Sequence, residues 1–200
     1  MKVWIGQSDF SSMRDSTGLA HIIYLAGCDR DCEGCHNPAL QDINNGTEVD
    51  IEDIKKEIEN NTLNDTVVFG GGEPFGQYEA LREIAKFAKS KDLQVWVYTG
   101  YSFSELSNMY LSKWGQGSIS ELLDYFDVLV CGPYVQEKAN EEYTFLASSN
   151  QEIWVKCQLG IVTTGPKAEA HIGFFWKEIG EEDLIRREAR RGDIIGKELG

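Results

Sequence analysis

Short apolar runs that alternate with amphipathic helical patterns constrain the fold of this 200-residue chain more than any other feature. The runs span residues 21–25, 67–69, 95–98 and 128–130. Continuous apolar runs of this length are typical of strands that are buried on both faces, as in a parallel sheet covered by helices. Because strands and helices alternate, the sequence predicts an α/β fold with right-handed crossover connections.

Helical patterns fill the intervals between the predicted strands. Apolar residues recur every three or four positions in 51–58, with Asp50 as the predicted N-cap and acidic residues in the first turn, which the helix dipole favours. A second apolar stripe covers 78–88, and residues 119–123 predict a further helix. Between them, Ser104 is predicted to cap a shorter helix.

The loops that follow these strands carry unusual residues. A cysteine-rich loop comes directly after the first predicted strand, and the glycine-rich segment 70–74 comes after the second. Residues 99–101 and 131–134 follow the third and fourth strands. Because ligands gather at the carboxyl ends of the strands in such folds, we expect the four loops to form a single site.

The cysteine-rich loop holds Cys28, Cys32 and Cys35 in the spacing Cys-x3-Cys-x2-Cys. Three thiolates can bind a four-iron cubane cluster and leave one iron without a protein ligand, so that this iron is open to a substrate. A structural zinc site is the first alternative, but it needs four ligands, and His36 is badly placed to share a metal with its neighbour. A disulfide framework is a weaker alternative, because the five cysteines are odd in number and nothing resembles a signal peptide.

The glycine-rich segment continues as Gly71, Gly72, Glu73 and Pro74. Glycines leave backbone carbonyls accessible at a strand end, and Glu73 adds a carboxylate, so the segment predicts a receptor for an α-amino group. By itself, the same segment is most often a tight turn before a helix. Its position one βα unit after the cysteine loop favours the receptor.

Composition narrows the class of protein. The formal net charge of −14 argues against a general nucleic-acid binder, because such binding depends on neutralising phosphates. No apolar run approaches the length that spans a membrane. The length predicts one domain with an adequate core, and the cysteine usage predicts reduced thiols in the cytoplasm.

The cysteine spacing together with Gly71–Pro74 resembles the radical S-adenosylmethionine superfamily. Further stretches are similar, in the same order, to the family of activating proteins of anaerobic ribonucleoside-triphosphate reductase. These stretches are residues 32–38, 96–101, 127–134 and 148–151. The resemblance covers roughly Ile5 to Trp154 and implies an incomplete β/α barrel with parallel strands in a single domain.

The resemblance also implies the chemistry. The enzyme would reductively cleave S-adenosylmethionine at a [4Fe-4S] cluster and use the 5′-deoxyadenosyl radical to generate a glycyl radical on the large subunit of the reductase, with a flavodoxin or ferredoxin-type protein as reductant. Carried over to matching positions, it implies the following roles: Cys28, Cys32 and Cys35 bind the cluster; Gly71, Gly72 and Glu73 hold the amino group of the cofactor; Gly34, Cys35 and His36 lie beside it.

No acid–base dyad or nucleophile motif is found, as expected where the cluster and cofactor carry the chemistry. A radical S-adenosylmethionine enzyme that acts on a small molecule, such as a 7-carboxy-7-deazaguanine synthase, is the alternative function. His36 is equally consistent with a surface histidine that hydrogen-bonds its own loop.

The chain departs from the resemblance at Cys131, where the family often has an acid, and in its length. Residues 1–154 are predicted to form the radical S-adenosylmethionine domain, and 155–200 a C-terminal extension. Within the extension, 158–163 and 171–176 predict strands, and 181–191 predicts a helix that Gly192 ends.

Overall fold

The computed structural model describes residues 1–109, 119–162 and 171–198. The strands in this part of the chain are β1 (Lys2–Ser12), β2 (Ala20–Leu25), β3 (Thr47–Asp50), β4 (Thr66–Gly71), β5 (Gln94–Thr99), β6 (Val128–Cys131), β7 (Glu152–Val162) and β8 (His171–Ile179). The α-helices are α1 (Ile51–Asn60), α2 (Tyr78–Ser90), α3 (Phe103–Asn108), α4 (Ile119–Leu123) and α5 (Glu181–Glu198). Single 3-10 turns occupy Pro38–Leu40, Ile43–Asn45, Pro74–Gln77 and Gln136–Lys138.

The strands form one sheet in the order β3-β1-β2-β4-β5-β6-β7-β8. The four predicted strands are confirmed as β2, β4, β5 and β6, and they are parallel to one another. The outer strands pair antiparallel, so the sheet is mixed rather than wholly parallel as predicted. The connection between β1 and β2 explains why this pair is antiparallel. Parallel neighbours require a crossover connection, usually a helix, and residues 13–19 contain none.

The sheet does not close on itself among the described residues, since β3 and β8 stand at opposite ends of the strand order. An incomplete barrel therefore stays a prediction. None of the helices described is both long and apolar enough to cross a membrane.

Each face of the sheet has its own apolar core because successive side chains of a strand point to opposite faces. One core contains Ile23, Phe69 and Val97 and packs against the buried faces of α1 and α2. The other contains Ile22, Val68 and Trp96 and is covered by Phe145 and by Leu184 of α5. We call the second face the inner face.

The helix starts test the predicted caps. The Asp50 side chain accepts a hydrogen bond from the Glu52 N–H and so confirms the predicted cap of α1. The prediction of Ser104 as the cap of α3 is wrong. Ser102 caps this helix in a capping box with Glu105, because a serine three residues before a glutamate satisfies two backbone donors at once.

The C-terminal segment continues the sheet. β7 pairs with β6 on one side and β8 on the other, so this strand crosses the predicted boundary at residue 154. The predicted strands are confirmed within β7 and β8, except for Thr163, which lies outside the described residues. The predicted stop at Gly192 is wrong, because α5 runs to Glu198. A glycine inside a helix costs only about 1 kcal/mol, which the residues on either side can offset.

Candidate functional site

A cavity of about 550 Å³ lies at the carboxyl ends of the four parallel strands. Each predicted loop contributes to its lining, through Cys28, Gly71, Thr99 and Gly132. The predicted meeting of the loops at one rim is therefore confirmed. A volume of this size is in the range of small-molecule and cofactor sites.

Cys28, Cys32 and Cys35 all line the cavity, and all five cysteines of the chain have free thiols. Their side chains do not converge on one point: within the described ranges, no three His, Cys, Asp or Glu side chains form a ready-made metal site. The donors nevertheless suit an iron–sulfur cluster, because three partly exposed sulfurs on one short loop face a shared space. Burial raises the pKa of the Cys28 thiol, so binding a metal there must displace its proton.

The glycine-rich segment packs directly on the start of the cysteine loop. The Gly72 N–H donates to the Leu25 carbonyl at 2.7 Å, and the Glu73 N–H donates to the Gly27 carbonyl at 2.8 Å. A Cβ on Gly72 would lie 2.4 Å from the Gly27 oxygen, and one on Gly71 would lie 2.6 Å from the Leu25 oxygen. These glycines are therefore required for the contact between the two loops.

Glu73 joins the second loop to the third. Its carboxylate is 1% exposed and accepts hydrogen bonds from the Phe75 N–H at 3.1 Å, the Thr99 hydroxyl at 2.9 Å and the Gly100 N–H at 2.9 Å. Burial raises the pKa of Glu73 to about 7, and these three hydrogen bonds oppose the rise. The side chain thus places an acceptor group in the cavity lining and holds two loops together.

The cysteine loop is also fixed from the third and fourth loops. The Arg30 guanidinium lies 4.6 Å from the centre of the Tyr101 ring, and the His36 and Tyr134 rings are 4.6 Å apart. His36 lines the cavity, whereas Gly34 is outside its lining. Gly34 has a φ of +69°, and a Cβ at this position would collide with the side chain of Gln136. The loop therefore needs a glycine here to adopt its shape.

The floor of the cavity was not predicted from the sequence. Tyr24, Gly70, Tyr98 and Val130 line it from four neighbouring strands of the inner face. Asp15 accepts a hydrogen bond from the Tyr24 hydroxyl at 2.6 Å, and its carbonyl accepts one from the Tyr98 hydroxyl at 3.0 Å. A sequence signal existed: each tyrosine places a hydroxyl group near the end of a predicted buried strand.

Residues 144–147 form one wall of the cavity. The Gln151 side chain accepts hydrogen bonds from the N–H groups of Ala147 and Ser148, at 2.8 and 3.2 Å, and donates to the Gly132 carbonyl at 3.0 Å. The Ser148 hydroxyl accepts from the Val135 N–H at 3.2 Å. The stretch 148–151 therefore ties this wall to the fourth loop, while Cys131 beside it is buried outside the cavity lining.

Comparison with known proteins agrees with the donor set of the cavity. Residues 15–154 match the family described as "4Fe-4S single cluster domain", and the chain belongs to this family. The matched region includes all three cysteines of the loop.

Three curated relatives share the name anaerobic ribonucleoside-triphosphate reductase-activating protein. The chain is 29% identical over 146 residues to the one from Vibrio cholerae, and the match covers 68% of this chain and 87% of the relative. It is 26% identical over 149 residues to that of Escherichia coli K12, with 68% and 88% covered. It is 22% identical over 143 residues to that of bacteriophage T4, with 68% and 84% covered.

Proposed function

We propose that this chain is the activating enzyme of an anaerobic ribonucleoside-triphosphate reductase. The observation that carries the proposal is that the three cysteines of a 4Fe-4S family member line the same cavity as the loop at 71–73. The names of the relatives support the role. When bound, the cluster and S-adenosylmethionine supply the radical that removes a hydrogen atom from a glycine of the reductase.

Cys28, Cys32 and Cys35 are assigned to the cluster. Three sulfurs leave one of four irons without a protein ligand, and this iron is where the cofactor would bind. All three thiols reach the cavity from one loop, which the second, third and fourth loops hold in place. The polypeptide therefore fixes the backbone of the donors before any metal arrives.

Gly71, Gly72 and Glu73 are assigned to the amino group of S-adenosylmethionine. The N–H groups of Gly72 and Glu73 already donate to the first loop, so this segment offers acceptors rather than donors to a ligand. The Glu73 side chain adds buried acceptor oxygens to the cavity lining. Such a surface recognises the ammonium group of the cofactor, which donates hydrogen bonds, rather than its sulfonium group, which has no hydrogen to donate from the charged atom. His36 and Cys35 are assigned to the neighbouring lining, with Gly34 shaping their loop.

The remaining task of the cavity is to exclude water and other reactants from a radical. Its inner-face floor and the wall at 144–147 serve this purpose. No acid or base is required for hydrogen-atom transfer. We infer a flavodoxin or ferredoxin-type protein as the electron donor and the cytoplasm as the site of action, since a reduced cluster needs a reducing compartment.

Glycyl-radical formation tests the proposal. The enzyme is reconstituted, reduced and mixed with S-adenosylmethionine and the large subunit of the reductase. This mixture should give the electron paramagnetic resonance doublet of a glycyl radical. The alternative, an enzyme of the 7-carboxy-7-deazaguanine synthase kind, predicts 5′-deoxyadenosine only when a small-molecule substrate is added, and no signal on the reductase. The relatives' names favour the first outcome.

A further inference from the structure

Two side chains accept the backbone hydrogen bonds of residues 144–148, a stretch that includes the cavity wall at 144–147. Glu181 accepts from the N–H groups of Thr144, Phe145 and Leu146 at 3.0, 2.6 and 2.8 Å. Gln151 accepts from the next two. Five consecutive backbone donors therefore point at side chains rather than at a neighbouring strand, and losing either partner leaves donors without an acceptor.

Glu181 comes from the C-terminal segment, beyond the family match that ends at residue 154. It is the first residue of α5, and this helix is itself anchored on the sheet. Leu184 is fully buried in the inner-face core, and Glu188 accepts a hydrogen bond from the Gln94 side chain at 2.6 Å. The carboxylate of Glu181 therefore projects from a fixed helix end.

The wall that Glu181 holds is in direct contact with the interior of the site. Residues 144–147 line the cavity, and the Phe145 ring packs edge-on against Trp96 of β5, with the ring centres 5.5 Å apart. A shift of this segment would change the shape of the cavity without touching the cysteine loop or the glycine-rich segment.

We propose that Glu181 is a positioning residue of the site: it fixes the 144–146 wall so that the cavity is already shaped for its ligand. The inference rests on the proposed function, which makes S-adenosylmethionine that ligand. It also gives the C-terminal extension a role, because Glu181 then holds a cavity wall, residues 144–147, that lies within the matched region 15–154.

Amide hydrogen exchange tests the contact itself. In Glu181→Ala, the amides of 144–146 should exchange roughly tenfold faster or more than in the wild type, since each loses a hydrogen bond to a charged acceptor. Glu182→Ala is the matched control, because Glu182 is in the same helical turn, is 85% exposed and pairs with Arg186. Amides of β4 should exchange equally in both variants, which establishes that Glu181→Ala is folded.

Affinity tests the positioning role. With the reconstituted enzyme, we expect the dissociation constant for S-adenosylmethionine to rise roughly tenfold in Glu181→Ala, to rise less in Glu181→Gln, which keeps one acceptor oxygen, and to stay unchanged in Glu182→Ala. Unchanged exchange at 144–146, or faster exchange with an affinity equal to that of Glu182→Ala, would overturn the inference. A wild-type enzyme that binds no S-adenosylmethionine would instead refute the proposed function, and the exchange result would still decide whether Glu181 holds the wall.

Discussion

Glu73 is a buried carboxylate whose hydrogen bonds within the protein hold two loops together. Its three hydrogen-bond donors come from the second and third loops, and only 1% of its surface is exposed. The side chain that we propose as a receptor for an ammonium group is thus also the cross-link between two loops, so substitutions of Glu73 should affect stability as well as activity.

The pH dependence of stability separates the structural part. Burial raises the pKa of Glu73 from 4.5 to about 7, so the folded protein binds this proton more tightly than the unfolded chain does. The contribution of Glu73 to stability is therefore present below pH 4.5 and is lost as the pH rises to about 7.

We expect Glu73→Gln to gain stability relative to the wild type as the pH rises from 4.5 to about 7, because only the wild type loses the Glu73 contribution. Urea denaturation of cofactor-free protein measures the two free energies of unfolding. Taking the difference removes the opposing contribution of His21, whose pKa burial lowers to about 4. If the difference in free energy of unfolding is constant from pH 4.5 to 7, burial does not raise the pKa of Glu73.

The glycines beside Glu73 give a second prediction at this scale. Gly72→Ala would place a Cβ 2.4 Å from the Gly27 oxygen and should lower the free energy of unfolding by about 1–3 kcal/mol. Gly76→Ala is the control, because apart from its chain neighbours nothing lies within 4 Å of its Cβ position, and it should change stability by less than about 1 kcal/mol. Equal effects in chemical denaturation would show that the two loops do not pack as described.

At the scale of elements, the buried strands and long helices are the parts that sequence patterns predict well. Apolar runs specify β2, β4, β5 and β6, and apolar spacing specifies α1 and α2, because burial itself creates those patterns. The common rim of their loops follows from the parallel order. Strand β1, which lies between β3 and β2, was not predicted, because most of its eleven residues are polar and only Val3 is buried.

The site shows the same division. The cysteines and the glycine-rich segment are local in sequence and were predicted, whereas the wall at 144–147 also depends on Glu181, 35 residues beyond Leu146, and no local pattern encodes that contact. Tyr24 and Tyr98 lie in strands whose register had to be known before the floor emerged.

The cap of α3 provides the prediction at this scale. Ser102→Ala removes the side-chain acceptor of the capping box and should cost about 1 kcal/mol of stability. Ser104→Ala, two residues on and exposed, should have an effect near zero, since alanine favours a helix interior. Thermal or urea unfolding of the two variants measures the difference, and a larger loss in Ser104→Ala would restore the cap predicted from the sequence.

At the scale of the whole molecule, the C-terminal segment is packed as part of the fold rather than as an appendage. β7 extends the sheet, and α5 covers the inner face with Leu184. Residues 155–200 lie outside the family match, so the extension adds a cover to a sheet whose four parallel strands lie within that match.

Two neighbouring residues of α5 test this packing. Leu184→Ala should lower the free energy of unfolding by about 2–5 kcal/mol, because it empties a fully buried position. Ile185→Ala, at a position 43% exposed, should cost less than about 1 kcal/mol. If the two variants unfold at the same denaturant concentration, α5 does not cover the inner face.

The central claim is that three cysteines bind a cluster with an open iron at which S-adenosylmethionine is cleaved. Its most direct test is anaerobic reconstitution with iron and sulfide, reduction in the presence of S-adenosylmethionine, and assay of bound iron and 5′-deoxyadenosine. Cys32→Ala should lose the product, while Cys157→Ala, which alters a thiol outside the cavity lining, should keep wild-type yield. Full product yield from Cys32→Ala, or a wild-type protein that takes up no iron, would contradict the account.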